Sequence, residues 1–329
     1  MSVSNDAEVK ASPRIRWGLI FKLSIAVAVT IYVLSRAGLE NALITLQSAQ
    51  WTLVALAAGF ASVAMVLNVT RWRMMISAQG SRAPLATLVR LYLIGMFFNN
   101  ILPSRFGADV VRAYGAAGVA AGKTRSVASV VMDRLVGAIS VLILGLFAVV
   151  LRPTMIDGRL GQTLVLMFVA LVGVLLLLMH RSEGANRIRD GLLRLADVSV
   201  FGIRIRSRVD AAIEAMRSYA GARGLILRAL LISLLANGLS IVNLYLYGSA
   251  VGAGVTLGDV AAVAPIILAV GLLPLSINGL GTVELAFVVL FGAMGVPEPI
   301  ALAIAILRRL VLLGMSLVGG ILYTVKKFG

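Results

Sequence analysis

The segment FFNNILPSRFGADVVRAYG, residues 97–115, interrupts an apolar stretch with two Asn, a Pro, an Asp and two Arg. A charged side chain at the bilayer centre costs roughly 2.5–3.5 kcal/mol, and a Pro leaves a backbone carbonyl without its helical partner. Polar, broken backbone is tolerated at membrane depth only where protein or water lines it. The segment therefore predicts an interrupted helical hairpin beside a polar cavity.

A second segment of this kind, LLPLSINGLGTVELAF, covers residues 272–287. In both segments an apolar run precedes Leu-Pro, and a polar turn with glycine precedes a second apolar helix. Corresponding interruptions in two halves of a membrane protein indicate a binding site between them.

Composition places the chain among membrane proteins. It has 329 residues, of which 60% are hydrophobic and 13% are charged, whereas charged residues make up about 25% of ordinary soluble domains. We expect residues 1–329 to form a single integral membrane domain.

The net charge of +16 comes from basic residues that cluster between apolar runs. There they indicate topology and contacts with anionic lipid head groups at the cytoplasmic surface, and not nucleic-acid binding. The chain has no Cys and one His, which excludes thiol catalysis and a Cys/His metal site. We expect no cofactor, no metal and no catalytic residue.

The apolar runs predict an all-α polytopic fold with about six full spans and two re-entrant or broken helical hairpins. The hairpins comprise residues 85–119 and 260–294, and the spans are residues 17–35, 51–70, 126–151, 162–179, 229–250 and 300–323. The positive-inside rule puts both termini in the cytoplasm, and we expect the protein in the bacterial cytoplasmic (inner) membrane.

With this topology the first hairpin begins and ends on the cytoplasmic side, and the second on the external side. Residues 51–151 and 229–323 are then an inverted-topology repeat, an arrangement typical of alternating-access transporters. Residues 181–228 form a basic cytoplasmic linker whose apolar spacing from Ile203 to Met216 fits a solvated helix or a helix lying on anionic lipid.

Candidate binding residues in the first half surround its hairpin. Asp109 and Arg112 share a helix face and so form an internal pair or bind ligand, which leaves Arg105 as a cation for a head-group phosphate. Asp133 and Arg134 are adjacent and face different directions, so that Arg134 reaches Asp109 or a ligand. Three further candidates lie in the same segment: Asn99, Asn100 and Gly107.

In the second half, Glu284 lies in a first helical turn and has Arg308 or Arg309 as its counter-ion, either as a structural strut or in proton coupling. Gly107, Gly279 and Gly281 permit close approach of a ligand or the opposing turn. Ser104, Asn278 and Thr282 either cap the second arms or leave their N-termini open to an anion.

At these residues the sequence resembles the lysylphosphatidylglycerol synthase/flippase transmembrane family, the membrane region of the multiple peptide resistance factor, which also has stand-alone members. The resemblance covers nearly the whole chain and is carried by Asn99-Asn100-Ile101-Leu102-Pro103 with Gly107, Asp109 and Arg112, by Asp133-Arg134, by Pro274 with Gly279-Leu280-Gly281 and Glu284, and by Arg308 or Arg309 after Gly295-Val296. The family often has Arg before the Glu, where this chain has Val283.

The resemblance implies lipid translocation between leaflets through a central cavity. Bifunctional members add a soluble aminoacyltransferase domain, for which this chain has no room, so we expect transport without synthesis. The leading hypothesis is a flippase-like carrier of an anionic or amphiphilic lipid, such as a phospholipid, glycolipid or hopanoid, with Arg105, Arg112 and Arg134 holding the head group.

Two alternatives are open on the sequence. One is a membrane enzyme or accessory subunit in lipid or cell-envelope glycan synthesis, with the Asp and Glu residues as acid/base groups. The other is export of a small amphiphilic solute. Membrane lipids are the expected partners, and self-association is left open.

Overall fold

A computed structural model describes residues 17–101, 107–120, 122–151, 221–272 and 276–327, together with residues 166, 173, 199–200, 203–204 and 219. Within these residues the protein forms ten main α-helices, a 3-10 turn at Ile277–Gly279 and two short strands, β1 (Ser199–Val200) and β2 (Ile203–Arg204). The helices are α1 (Trp17–Ala37), α2 (Leu39–Gln47), α3 (Trp51–Ser77), α4 (Leu85–Ile101), α5 (Gly107–Gly115), α6 (Lys123–Leu151), α7 (Arg223–Ala250), α8 (Leu257–Leu272), α9 (Thr282–Gly292) and α10 (Glu298–Lys327).

The helix lengths confirm an all-α polytopic membrane protein. Among the described residues, α3, α6, α7 and α10 are long and apolar enough to cross a membrane, and α1 with α2 makes a fifth candidate if the bent pair is one span. Of the predicted span 162–179 only residues 166 and 173 are described, and most of the linker 181–228 lies outside the described residues. Ile203 and Arg204 pair antiparallel with β1, so the helical interpretation of the linker is wrong at these two residues.

The predicted connection between the first two spans is largely helical. Gly38 adopts a positive φ of 66°, which ends α1, and the chain turns by 69° into α2. Ala42 and Leu46 lie on one face of α2 and are buried. The spacing of these two apolar residues fits a short helix, which lies in the connection between the predicted spans 17–35 and 51–70.

Helices α3 and α7 pack side by side in opposite directions. At one end the Gln50 N–H donates to the Ala250 carbonyl at 2.8 Å, and near the other the Tyr219 hydroxyl donates to the Met75 carbonyl at 2.7 Å. Burial raises the pKa of Tyr219 to about 12, so this hydroxyl remains a donor at neutral pH. Helix α3 continues to Ser77, beyond the predicted span 51–70. Arg71 therefore lies inside the helix and is buried, not in the connection after the span.

The two predicted hairpins are present as α4 with α5 and as α8 with α9. Helix α4 follows the end of α3, and α8 follows the end of α7. Since α3 and α7 are antiparallel, the hairpins enter from opposite ends of this pair.

The packing of the two halves follows one scheme. Helix α4 packs against α10 and α8 packs against α6, while α4 contacts α5 as α8 contacts α9. The contacts of α5 with α6 and of α3 with α4 likewise have counterparts in α9 with α10 and α7 with α8. An inverted repeat produces such exchanged contacts, and the repeat limits 51–151 and 229–323 stay a prediction.

Candidate functional site

The tips of the two hairpins meet through three asparagines, Asn99, Asn100 and Asn278, which we call the hairpin junction. Asn99 Nδ2 donates to Asn278 Oδ1 at 2.7 Å, and Asn278 Nδ2 donates in turn to Asn100 Oδ1. Asn100 Nδ2 also donates to Ser316 Oγ of α10 at 2.8 Å. Side-chain amides from both halves therefore bond at the point where each hairpin is broken.

The backbone of the second tip explains how Asn278 reaches across. Asn278 has a φ of 50°, in the left-handed region that Asn tolerates better than most residues, and Gly279 follows with a φ of 70°. Helix α9 has Gly281 at its N-cap position and no side-chain cap, so the Asn278 amide points to the other hairpin instead of capping. A Cβ on Gly281 would lie 2.9 Å from the Thr30 nitrogen, so this glycine admits the backbone of α1.

A cavity of about 110 Å³ adjoins the hairpin junction, which gives room for several water molecules. One part of its wall is polar and another is apolar. Its lining residues are Asn100, Gly271, Asn278, Gly279, Val283, Arg308, Arg309, Leu312 and Leu313. Leu313 is 39% exposed and continues an exposed apolar face of α10 with Leu310 and Leu317. The cavity thus lies beside the surface that contacts lipid chains.

The two arginines of the cavity are in different environments. Arg309 binds Glu284 of α9 through two hydrogen bonds, Nε to Oε1 at 2.6 Å and Nη2 to Oε1 at 2.5 Å. Arg308 forms no ion pair or hydrogen bond with the residues that the structure describes, and its electrostatic neighbours are Arg309, Glu284 and Tyr247. The counter-ion of Glu284 is therefore Arg309, while Arg308 lines the cavity.

A second polar group lies in the first half and is centred on Asp133 of α6. Its Oδ1 accepts from Arg71 Nε at 2.7 Å, and its Oδ2 accepts from Arg112 Nη2 at 2.6 Å. The Arg112 guanidinium also lies 4.3 Å from the Trp72 ring centroid and 5.1 Å from that of Tyr92. These three charged side chains are buried, and the two arginines share the carboxylate of Asp133.

Asp109 extends this group towards the surface. It lies 3.6 Å from Arg112 within α5 and accepts from Arg134 Nε of α6 at 3.0 and 3.1 Å. Arg134 is 49% exposed. We call these five residues, Arg71, Asp109, Arg112, Asp133 and Arg134, the arginine–aspartate network.

The network continues into α7 through uncharged groups. Arg71 Nη1 donates to Ser233 Oγ at 2.5 Å, and the hydroxyls of Ser233 and Ser140 are 2.6 Å apart. Asn237 Nδ2 donates to Ser140 Oγ at 2.7 Å. A chain of polar contacts thus connects α3, α6 and α7 within apolar surroundings.

The candidate residues therefore divide between two places. The cavity brings together Asn100, Asn278, Gly279, Arg308 and Arg309. Asn99 bonds to Asn278, and Glu284 bonds to Arg309. The network holds Asp109, Arg112, Asp133 and Arg134, while Gly107 is buried in the first turn of α5. Arg105 lies outside the described residues. Because both network arginines of the head-group hypothesis are bound to aspartates, the cavity is the better candidate for a ligand.

Sequence reasoning missed Arg71, Trp72 and Ser233 as partners of the candidate residues. The signal for Arg71 was the apolar pattern of α3, which continues through Trp72, Met75 and Ile76, all buried. Among the described residues there is also no group of three or more His, Cys, Asp or Glu side chains placed to hold a metal.

Comparison with known proteins agrees with this architecture. The family model described as "Lysylphosphatidylglycerol synthase TM region" matches residues 19–320. A UPF0104 membrane protein of Methanothermobacter thermautotrophicus is 25% identical over 301 residues, which cover 87% of this chain and 88% of the relative. A UPF0104 membrane protein of Methanocaldococcus jannaschii is 25% identical over 260 residues, 76% of each chain. The chain is a multi-pass membrane protein that belongs to the lysylphosphatidylglycerol synthase transmembrane-region family.

Proposed function

We propose that this protein moves a lipid between the two leaflets, with the head group passing the hairpin junction and the acyl chains remaining in the bilayer. The observation that carries the proposal is the meeting of Asn99, Asn100 and Asn278 beside a cavity of about 110 Å³. Membership of a lipid-related family supports the same class of ligand.

The chemistry of the cavity suits a head group that leaves water. Transfer of one neutral polar group without a compensating hydrogen bond costs roughly 2–7 kcal/mol, and transfer of an ionised group costs far more, so desolvation of the head group opposes spontaneous lipid exchange. The guanidinium of Arg308 offers replacement hydrogen bonds. The amides of Asn100 and Asn278 bond to each other in the closed junction and become available to a head group when the hairpins separate. Leu312 and Leu313 of the same cavity suit the adjoining acyl chains.

The geometry also suits alternating access to the cavity from the two sides of the membrane. The hairpins approach from opposite ends of the α3–α7 pair, and each contributes amides to the same junction. Movement of one hairpin away from the junction would open the cavity towards one leaflet while the other hairpin keeps it closed. From the basic residues between the apolar runs, we also propose that the termini face the cytoplasm.

The enzyme alternative is less well supported by the described side chains. It needs a carboxyl group available for proton transfer, whereas both oxygens of Asp133 are bound by arginines and both oxygens of Asp109 by Arg134. Glu284 is bound by Arg309 through Oε1 alone, so its buried Oε2, which has no hydrogen-bond partner among the described residues, is where such chemistry would have to occur. A changed lipid or glycan product in purified protein supplied with a donor, abolished by Glu284→Gln, would favour the alternative.

Transport is tested with the full chain in liposomes that contain lipids with a fluorescent head-group label. Dithionite added outside reduces only the label in the outer leaflet, so the reduced fraction reports exchange. We expect wild-type protein to raise this fraction and Asn100→Ala to lower the exchange rate. Asn68→Ala is the matched control, because Asn68 bonds only to Ala64 of its own helix. Absence of exchange for phosphatidylglycerol, phosphatidylethanolamine and phosphatidylcholine alike, with folded protein, would refute the proposal.

A further inference from the structure

The two halves place their ion pairs at equivalent positions. Asp109 is the third residue of α5 and bonds to Arg134, the twelfth residue of α6. Glu284 is the third residue of α9 and bonds to Arg309, the twelfth residue of α10. The helix that carries each acid also packs against the helix that carries its arginine. This correspondence gives a residue-by-residue register between the halves.

In this register Asp133 of the first half corresponds to Arg308 of the second, since each is the eleventh residue of its helix. The positions that correspond to the two partners of Asp133 also carry different residues in the second half. Arg71 is the twenty-first residue of α3, and the twenty-first residue of α7 is Asn243. Arg112, the sixth residue of α5, corresponds to Phe287 of α9. Where the first half has an acid between two arginines, the second half has an arginine that forms no ion pair with the described residues, although Glu284 lies near enough to act on it electrostatically.

The positions in the second half that correspond to the two arginines around Asp133 carry no charge. Phe287 is buried and apolar, and the Oδ1 atom of Asn243 is buried without a hydrogen-bond partner. Glu284, the acid of this half, is already bonded to Arg309. The guanidinium of Arg308 instead lines the cavity beside Asn100 and Asn278.

We propose that Arg308 binds an oxyanion of the ligand, a phosphate or carboxylate, which supplies the negative charge that Asp133 supplies in the first half. Arginine suits this role because its planar guanidinium donates two parallel hydrogen bonds to such groups. This inference rests on the proposed function and narrows its substrate to a lipid whose head-group oxyanion is not offset by a cation in the same head group, as the phosphate of phosphatidylcholine is by choline. The amides of Asn100 and Asn278 line the same cavity, and they can bond the remaining polar atoms of the head group once their mutual hydrogen bond is broken.

Binding is measured apart from transport, on the full chain purified in detergent, as the shift in apparent Tm during titration with one lipid. The probes are phosphatidylglycerol, zwitterionic phosphatidylcholine and inorganic phosphate. We expect phosphatidylglycerol to stabilise the wild type at lower concentration than phosphatidylcholine. Arg308→Gln should weaken phosphatidylglycerol binding by about tenfold or more, and Arg308→Lys by less. Arg36→Gln removes a positive charge that does not line the cavity, so it should leave phosphatidylglycerol binding unchanged.

A second pair of variants keeps Arg308 in place. Leu312 lies four residues after Arg308 on the same face of α10 and lines the same cavity. In Leu312→Glu the new carboxylate should pair with Arg308 and remove the preference for phosphatidylglycerol, whereas Leu312→Gln should retain it.

The outcomes separate this inference from the proposed function. A phosphatidylglycerol preference that survives both Arg308→Gln and Leu312→Glu would overturn the inference, even if the liposome assay shows exchange. Stabilisation by inorganic phosphate equal to that by phosphatidylglycerol, lost in Arg308→Gln, would support the oxyanion site and identify a soluble anion as its source. Lost binding in Arg308→Gln without exchange in the wild type would support the site and refute transport.

Discussion

Asn278 of the second hairpin accepts a hydrogen bond from Asn99 of the first at 2.7 Å, although 179 positions separate them in the chain. The same Asn278 amide donates to Asn100, so one side chain joins two neighbouring residues of the opposite tip. The two broken segments therefore form one polar contact at membrane depth.

Asn278→Gly should loosen this contact without straining the turn. Glycine adopts the observed φ of 50° freely, so the variant removes only the amide. We expect a loss of about 1–3 kcal/mol of stability for the two hydrogen bonds, together with slower lipid exchange. A graded SDS titration measures the stability. Unchanged stability would contradict a bonded junction, and Asn278→Ala should be less stable than Asn278→Gly because of its backbone.

Arg71→Met should destabilise the protein strongly, because it leaves the buried Asp133 with Arg112 as its remaining described cation. Breaking a buried ion pair by removal of one partner costs about 3–5 kcal/mol. Arg134→Gln is the comparison, since Arg134 is half exposed and its pair with Asp109 is worth about 1 kcal/mol or less. The same SDS titration measures both, and equal losses would show that Asp133 does not depend on Arg71.

Gly319→Ala should separate α4 from α10. A Cβ at Gly319 would lie 2.0 Å from the Leu93 carbonyl oxygen, so the backbones must move, at a cost of about 1–3 kcal/mol. Gly314→Ala in the same helix meets nothing within 4 Å and should stabilise by about 0.5–1 kcal/mol. Apparent Tm values of the two variants should shift in opposite directions, and a shift in the same direction would argue against this close contact.

The orientation of the helices is open to a labelling experiment, because the chain contains no cysteine of its own. Thr124 and Ala293 are exposed. Thr124 lies in the first turn of α6, on the predicted cytoplasmic side, and Ala293 directly follows α9, on the predicted external side. A membrane-impermeant maleimide added to intact cells should label Ala293→Cys and not Thr124→Cys, and cell lysis should expose both. The reverse pattern would invert the proposed topology.

The sequence predicted the hairpins because an uninterrupted membrane-spanning helix rarely contains a polar, proline-bearing break. It misassigned Arg71, since an arginine at the end of an apolar run usually marks a loop, and its partner Asp133 lies 62 positions away. The choice between Arg308 and Arg309 for Glu284 depends on helix rotation, which adjacent residues in a sequence do not reveal. The turn at Gly38 was missed because a single glycine between two apolar runs does not distinguish a loop from a bend.

Gly281 adds an asymmetry to the exchanged contacts of the two halves. The backbone of α1 lies against it at Ala26 and Thr30, and α1 also contacts α9. Among the described helices, α1 packs in this way on the second hairpin only. In the proposed transport cycle, displacement of the second hairpin either moves α1 as well or breaks the contact between α1 and Gly281. The inward- and outward-facing conformations would then differ in energy. The resting protein should accordingly favour one orientation, with the first hairpin as the more easily moved gate.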